Sequence, residues 1–511
     1  MFVLLLNLKT MNTLYRRRMK FISFCLLIPL CLLHPVASSG QQMTLDEAIN
    51  TARAHSVEAK EARSAFVSVY WAYRSYKASR LPSITLYGNI MNFDRSLTLM
   101  QSYEDGSYRY VNSYNLQNSL GLQVTQNVTF TGGTLSVYSD LSRIDQFGID
   151  KSLTWYSQPV SISYSQPLFT YNQFKWDRKI EPKEYEKGRR TYLEAMEQIT
   201  VNVVSAYHGL ITAQAGYDIS KENYGNTRKL LEVARQRLSL GSVTRDECLQ
   251  LELRMLNDSI SMNESAVLVR EAQMSLNSAL GLDESYEVVP VLEDVLPDIY
   301  MDYDQVMTLS LENSSFNLDN EISLLNAGAA VAQAKASRGL SMSLNARFGL
   351  SQTSPELDGV YSDLLDQEVV GLTFSIPIFD WGLGKGKVQK AKAAEEVVKA
   401  QVQQSENDYR RMMFTAVGQF NNQRQQCSVS RRAMLIARER YELMMEKFRS
   451  GTASVMELNT AQSENDSARQ KYITDVSNYW QYYYTLRQYT LYDFIEGHDL
   501  DVDINEMIHQ F

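Results

Sequence analysis

The stretch GLTFSIPIFDWG, residues 371–382, decides the fold, because it repeats an earlier stretch of the same chain. Apolar and small residues alternate in it up to Pro377, a pattern that favours a β-strand ending at a proline. The stretch VSISYSQPLFTY, residues 160–171, has the same pattern and aligns Pro167 with Pro377 and Phe169 with Phe379. A chain that contains one strand exit twice is predicted to be internally duplicated.

Long proline-free segments follow both strand exits. No proline occurs after Pro377, and none occurs between Pro182 and Pro290. Proline inside a helix costs roughly 3 kcal/mol, so segments without it, rich in Ala, Leu, Glu, Gln, Lys and Arg, favour long helices. The second segment predicts a helix from about residue 385 to 449, which would be about 100 Å long at 1.5 Å per residue. Such a helix cannot bury itself in one globule, so we expect a bundle or the wall of a tube.

Each long helix is predicted to break once, at a glycine. The breaks read RLSLGSVTRDE at 237–247 and KFRSGTASVME at 447–457, again in equivalent places of the two halves. Glycine can end a helix in the left-handed conformation, and the Ser or Thr after it can cap the next helix. Each half therefore predicts a helical hairpin, with its tip near Gly241 or Gly451.

The first half is longer than the second by an inserted segment. The sequence KASR at 77–80 recurs at 335–338, and the interval from this sequence to the matching proline, Pro167 or Pro377, is 48 residues longer in the first half. Residues 120–141 of this insert show two alternating runs around Gly132 and Gly133, which predicts a β-hairpin.

The alternating strands fit either a soluble sandwich with apolar residues inside or a lipid-embedded barrel with apolar residues outside. Two strands per half are too few to close a barrel, so several chains would have to share one.

Composition and the N-terminus restrict the class of protein. Residues 1–40 hold a basic segment, an apolar run and small residues, which is typical of a cleaved secretory signal; a membrane anchor is the alternative. The net charge of −9 argues against a nucleic-acid partner. Cys248 and Cys427 are expected to be unpaired, buried thiols, with a disulfide as the alternative. No catalytic constellation, metal-ligand cluster or cofactor motif is found, so an enzyme is not expected and no cofactor or metal is assigned.

At these residues the chain resembles the TolC-like outer-membrane efflux protein family. The features that carry the resemblance are TLDEAI at 44–49, the two strand exits, the two hairpin tips and LNSALGLD at 276–283. Their order and duplication are more specific than any one of them. The domain boundaries that follow are a signal peptide at 1–40, repeat one at 41–295, repeat two at 296–495 and an acidic tail at 496–511.

The resemblance implies a mainly α fold with membrane β-strands. In it, a homotrimeric α-helical barrel of coiled-coil-like helices continues into a shared outer-membrane β-barrel, to which each chain of the family gives four strands. It implies a location in the outer membrane, in contact with its lipid and extending into the periplasm. It also implies a periplasmic adaptor protein as partner and, through it, an inner-membrane pump.

The resemblance further implies roles for particular residues. Glu247, Glu457 and Asp246 would line a constriction at the closed tip; the alternative is acidic residues at helix starts, where the helix dipole favours them. Ala453 and Thr460 stand where the family has charged partners at the tip, so its closing salt bridges are not expected. The tips would contact the adaptor through Leu238, Gly241, Ser242, Phe448, Gly451 and Thr452. The strand-to-helix turns would be made by Pro167, Phe169, Pro377 and Phe379.

The function that follows is a passive duct for small-molecule or drug efflux in a tripartite export system. An exit duct for type I protein secretion is the near alternative. A periplasmic coiled-coil adaptor or structural protein without membrane strands is the alternative from a different class. The aromatic segment YWQYYYTLRQYTLYDF at 479–494 fits either a membrane-interface belt or, preferably, packing between helices.

Overall fold

The computed structural model describes residues 41–101, 106–147, 151–241, 243–292 and 295–501. The expected signal peptide at 1–40 and most of the acidic tail, residues 502–511, lie outside the described residues. Within the described part, the chain divides into two units. The smaller contains residues 41–42 and 287–289, and the larger contains residues 43–286 and 290–501.

Helices account for most of the larger unit, and two of them are very long. The helices are α1 (Leu45–His55), α2 (Val57–Ala78), α3 (Gln173–Ser239), α4 (Arg245–Leu280), α5 (Tyr303–Asn313), α6 (Phe316–Arg338), α7 (Leu383–Ser450) and α8 (Val455–Thr490). Helix α3 has 67 residues, with Pro182 in its third turn, and α7 has 68. The predicted long helix at 385–449 is thus confirmed to within two residues.

The strands lie between the helices. They are β1 (Gln41–Met43), β2 (Ser83–Gln101), β3 (Tyr108–Val128), β4 (Gly133–Gln146), β5 (Ser152–Leu168), β6 (Val288–Pro290), β7 (Ser341–Ser354), β8 (Leu365–Ser375), β9 (Tyr492–Asp493) and β10 (His498–Asp499). Six of them form one antiparallel sheet in the order β2-β3-β4-β5-β7-β8. Strands β1 and β6 pair in a separate two-stranded sheet, as do β9 and β10.

The hairpin predicted at 120–141 is present and is longer than expected. It consists of β3 and β4, joined by a turn at 129–132 in which Gly132 has φ +84°, a value that favours glycine. The hairpin lies inside the sheet, between β2 and β5, rather than at its edge. The first half of the chain therefore gives four strands to this sheet and the second half gives two.

A close contact shows how the inserted hairpin is fitted to its neighbour. Tyr87 on β2 lies opposite Gly121 on β3, and a Cβ at position 121 would come within 2.4 Å of the Tyr87 ring. Any larger residue at position 121 would displace that ring. The glycine thus provides the space in which the tyrosine packs across the strand pair.

Side-chain caps explain where the helices begin. Thr44, Thr244 and Ser454 precede α1, α4 and α8, and each forms a capping box with the glutamate three residues later. Helix α4 ends at Gly281 (φ +70°) and α7 at Gly451 (φ +87°). The two capping boxes at the tips match the predicted hairpin breaks.

The core of the helical part is aromatic. Tyr479, Tyr483 and Phe420 are each at most 1% exposed, and Tyr479 and Phe420 are 5.1 Å apart between ring centroids. Trp480 and Tyr484 are also buried. The aromatic segment at 479–494 therefore packs between helices, as preferred from the sequence, and is not a membrane-interface belt.

Candidate functional site: the sheet faces and the helical tips

The six-stranded sheet has one apolar and one polar face. Leu86 faces Leu122 across β2 and β3, and Ile162 on β5 faces both Val137 on β4 and Phe348 on β7. All five side chains are 38–68% exposed, although each is large and apolar. Such a continuous exposed apolar face is unusual for a protein surface in water and indicates contact with lipid or a partner.

The opposite face is lined by polar and small residues. The strand register places Gly121 beside Asp140, Ser163 beside Arg347 and Ser343 beside Thr373. The Arg347 guanidinium lies 5.9 Å from the ring centroid of Tyr138. The alternation predicted from sequence is thus present across the sheet, except at the start of β8, where Glu368 lies beside Phe348 and Val369 beside Arg347. Its polar side suits an aqueous lumen.

The strand-to-helix turns lie at one end of the sheet. Pro167 is still within β5, paired with Ser343, whereas Pro377 comes two residues after the end of β8. Phe169 has φ +58° and is 70% exposed; Phe379 is 72% exposed and lies 4.5 Å from Trp381 between ring centroids. The turns are thus in equivalent places and present aromatic rings to the exterior.

The helical tips are held together by a shared apolar core. The two hairpins, α3–α4 and α7–α8, both contribute to it. Its buried residues are Leu230, Leu231, Ala234, Cys248, Leu251, Tyr441, Met445, Phe448, Val455 and Leu458. Cys248 belongs to this core and Cys427 is buried elsewhere; both are free thiols, as preferred from the sequence.

Arg237 links the two tips through the backbone. Its Nη1 donates to the carbonyl of Phe448 at 3.1 Å and its Nη2 to the carbonyl of Arg449 at 3.0 Å. These carbonyls lie in the last turn of α7, where intrahelical partners run out and a cation is favoured. A Cβ at Gly451 would come within 2.9 Å of the same guanidinium, so glycine is needed there for space as well as for its φ of +87°. Arg237 is the first residue of the RLSLGS motif, so the sequence points to it as a tip residue. The motif alone does not identify the backbone carbonyls that accept its hydrogen bonds.

Replacing Arg237 with glutamine should loosen the tip locally. The variant loses two charge-assisted hydrogen bonds, so we expect local opening at residues 448–455 to become about 5- to 30-fold more frequent, or about 1–2 kcal/mol easier. Amide hydrogen exchange of these residues measures the change. The control is Arg235→Gln, which removes only an exposed ion pair with Glu252. If the amides of residues 448–455 are equally protected from exchange in Arg237→Gln and in the unmodified chain, Arg237 does not hold the two tips together.

Glu247 and Glu457 occupy equivalent capping positions. The Glu247 carboxylate accepts from the Thr244 backbone N–H and hydroxyl, both at 2.9 Å. Glu457 accepts from the Ser454 N–H at 2.8 Å and hydroxyl at 3.0 Å, and these bonds lower its pKa. The Glu457 side chain is exposed and that of Glu247 is half-buried. They therefore have the dipole-related role considered in the sequence analysis, and each still has a free face toward solvent.

The other tip residues differ in their surroundings. Asp246 accepts from Gln250 at 2.6 Å, and the Thr452 hydroxyl donates to the Lys447 carbonyl. Gly241 has φ +74°, and Leu238 is partly exposed. Phe448 is 4% exposed and packs in the tip core, so its side chain is not presented to a partner. Ser242 lies outside the described residues.

Two exposed apolar side chains at the tips were not singled out from the sequence. Leu240 is 81% exposed and Met456 is 76% exposed, one on each hairpin. Leu240 stands next to Gly241, and Met456 is two residues after the capping Ser454. They are the larger apolar surfaces that the tips offer to a partner.

Neither a metal cluster nor a membrane-spanning helix is found among the described residues. No group of three or more His, Cys, Asp or Glu side chains is placed to hold a metal ion there. Of the helices described, none combines the length and the apolar character needed to cross a membrane.

Comparison with known proteins identifies the family. Residues 312–490 match the family described as outer membrane efflux protein. This segment of the chain belongs to the outer membrane efflux protein family. The resemblance noted from sequence motifs is thereby confirmed, together with the location in the outer membrane and the general role of an outer-membrane efflux channel. Among curated proteins, none matches the chain.

Solved structures show the same fold at low sequence identity. The outer-membrane channel OprN is 15% identical with a TM-score of 0.62, covering 87% of this chain and 89% of that one. VceC from Vibrio cholerae is 12% identical with a TM-score of 0.62, covering 89% and 97%. CmeC from Campylobacter jejuni is 15% identical with a TM-score of 0.59, covering 91% and 88%. The efflux-protein fold therefore extends over nearly the whole described chain and not only over residues 312–490.

Proposed function

We propose that this efflux protein is the passive outer-membrane duct of a tripartite export system for small molecules. A periplasmic adaptor would bind the helical tips, and an inner-membrane pump would supply the energy through that adaptor. The observation that carries the proposal is the continuous apolar face of a six-stranded sheet joined directly to four helices. Export of a secreted polypeptide by the same duct is the second candidate, favoured by the extra strand pair in each chain.

The strand count supports an assembly of several chains, and the family resemblance gives three as their number. Six strands are fewer than the roughly eight that a closed barrel with a filled interior requires. Within the described part of the chain, the outer strands β2 and β8 each have a neighbour on one side only, and they run in opposite directions. Strand β8 of one copy can therefore pair antiparallel with β2 of the next. The proposed trimer closes an 18-stranded barrel. A monodisperse, folded monomer in detergent, measured by light scattering, would overturn it.

The internal duplication is part of the proposal. The strand exits, the two capped tips and the two long helices occupy equivalent positions, which supports repeat one at 41–295 and repeat two at 296–495. Six quasi-equivalent half-chains would then build one tube. The adaptor would contact Leu238, Gly241, Ser242, Gly451 and Thr452, with Leu240 and Met456 added from the structure.

We propose that Glu247 and Glu457, with Asp246 beside them, line the constriction of the tube. Replacing both glutamates with glutamine removes six carboxylates from the trimer but keeps the capping boxes, because glutamine also serves at this capping position. We expect weaker cation selectivity and weaker block by multivalent cations from the periplasmic side, as for acidic rings in cation channels. Single-channel recording in planar bilayers measures both.

The matched control replaces Glu264 and Glu439 with glutamine, two exposed acids farther along the same hairpins. Its conductance and selectivity should equal those of the unmodified protein. If Glu247→Gln with Glu457→Gln also behaves like the unmodified protein, these glutamates are caps only and do not line the constriction.

A further inference from the structure

The four helix ends that meet the sheet are all basic, in a chain whose net charge is −9. Residues 68–81, 171–180, 329–340 and 380–393 together contain twelve Lys and Arg but only two acids, Asp177 and Asp380. The four segments are the end of α2, the start of α3, the end of α6 and the start of α7. We call this set of segments the basic collar.

The strand register brings these segments to one end of the sheet. Ser341 at the start of β7 pairs with Ser375 at the end of β8, and Leu168 at the end of β5 pairs with Met342. Side-chain amides tie β3 to the end of α2, since Gln126 donates to the Arg80 carbonyl at 2.9 Å. The collar is therefore one surface in space, next to the edge of the apolar face.

The basic side chains of the collar are exposed and lack acidic partners. All twelve are exposed, and no ion pair within 4 Å is found for them among the described residues. Asp380 accepts from the backbone N–H groups of Gly382 and Gly384 at the start of α7, and Arg338 is the collar residue whose charge acts on its carboxylate. The positive charge of the collar is thus available to an external anion.

Aromatic rings are interleaved with the charges on α2 and α3. Lys77 lies 4.4 Å from the ring centroid of Tyr73, Arg74 lies 6.0 Å from that of Trp71, and Lys179 lies 5.4 Å from that of Trp176. Trp71 is 53% exposed, and Trp381 at the start of the α7 segment is 90% exposed. Exposed aromatic rings with adjacent basic groups, beside an apolar surface, are typical of a membrane–water interface.

We propose that the basic collar binds the anionic headgroups of phospholipids in the leaflet that faces the helices. The apolar face of the sheet enters the hydrocarbon, the aromatic rings lie at headgroup level, and the lysines and arginines contact the phosphates. The binding concentrates acidic phospholipids around the channel and fixes the depth at which the sheet sits. It requires only that the sheet is in the outer membrane, and not the proposed trimer or export route.

The test uses the native tryptophans of the collar as energy donors. The full chain is reconstituted into phosphatidylethanolamine vesicles that contain a small fraction of dansyl-labelled phosphatidylglycerol or, in a parallel sample, dansyl-labelled phosphatidylethanolamine. We expect energy transfer to indicate at least about fivefold enrichment of the anionic lipid, since one basic group near the surface accounts for a factor of that size. Sodium chloride at high concentration should reduce the enrichment.

Two charge-neutralised variants report the contribution of the collar. One is Lys385→Gln with Lys387→Gln, Lys390→Gln and Lys392→Gln on α7. The control is Arg410→Gln with Arg411→Gln, Arg432→Gln and Arg438→Gln, which removes the same charge from exposed positions more than about 25 Å farther along the same helix. The first should lose most of the enrichment and the second should keep it, with the single-channel conductance of both unchanged to show that they are folded.

Three outcomes would overturn the proposal. The first is equal energy transfer to both labelled lipids. The second is equal loss in the collar variant and the control variant, which would indicate a general effect of net charge. The third is that inorganic phosphate abolishes the lipid enrichment whereas sodium chloride of the same ionic strength does not, which would identify the collar as a site for free phosphate. Failure of the export function would appear separately, as a loss of conductance with lipid enrichment intact.

Discussion

Glu197→Gln is expected to lower the free energy of unfolding by about 3 kcal/mol, because it removes a buried carboxylate that neutralises two partly buried arginines. Glu197 on α3 is 3% exposed and forms ion pairs with Arg53 on α1 and with Arg487 on α8, the latter at 3.3 Å between Nε and Oε2. Arg487 continues to Asp493 at 3.0 Å, and Asp493 accepts from the Tyr483 hydroxyl at 2.7 Å. One carboxylate thus connects three helices and the chain segment after α8.

The matched control for this prediction is Glu464→Gln. Glu464 pairs with Arg440, but both side chains are 47% exposed, and such surface pairs contribute at most about 1 kcal/mol. Chemical unfolding in detergent, followed by circular dichroism, should give a large fall in midpoint for Glu197→Gln and a small one for Glu464→Gln. Similar shifts in the two variants would show that the buried network does not hold the helices together.

Deletion of residues 106–150 is expected to narrow the lumen without preventing assembly. The deletion removes β3 and β4 and lets β2 pair with β5, which leaves four strands per chain in their original directions. Barrel diameter grows roughly linearly with strand number, so a change from 18 strands to 12 should reduce the lumen radius by about one third. Exclusion of polyethylene glycols added from the external side of a planar bilayer measures that radius.

A shortened β7–β8 loop provides the comparison for the deletion. Removing residues 355–361 shortens the chain outside the strands and keeps all six strands of the sheet. Its polymer cutoff should match that of the unmodified channel. If the 106–150 deletion also keeps the original cutoff, the inserted hairpin does not contribute to the wall of the lumen.

Local patterns in the sequence predicted most of the elements. Strand exits at Pro167 and Pro377, helix breaks at Gly241 and Gly451, and the capping residues all depend on residues within four or five positions of one another. Their physical causes, fixed φ at proline and satisfied N–H groups at helix starts, act over the same short range. These predictions therefore agree with the structure to within a few residues.

Interactions between distant parts of the chain could not be predicted in this way. The position of β3 and β4 in the sheet depends on which strands they pair with. The alternation of apolar and polar residues does not predict that position, because it is the same in a central hairpin and in an outer one. Glu197 pairs with residues 144 positions before it and 290 after it, and a single buried glutamate on a long helix has no distinguishing pattern. Phe448 was assigned to the adaptor contact from the family resemblance of the tip, yet the packing of the two hairpins buries its side chain.

The extra strand pair has a consequence for the junction between the sheet and the helices. Four helices packed 8–10 Å apart occupy about 36 Å of circumference per chain. Six strands spaced about 4.8 Å apart and tilted by about 40° occupy about 37 Å, whereas four strands would occupy only about 25 Å. With six strands the two layers have matching perimeters, so the wall of the proposed tube passes from helices to strands without a step. The internal radius of the proposed tube would therefore not change abruptly where a solute passes from the helices to the strands. The short turns at 79–82 and 169–172 need only change the direction of the chain, without moving it toward the axis of the tube.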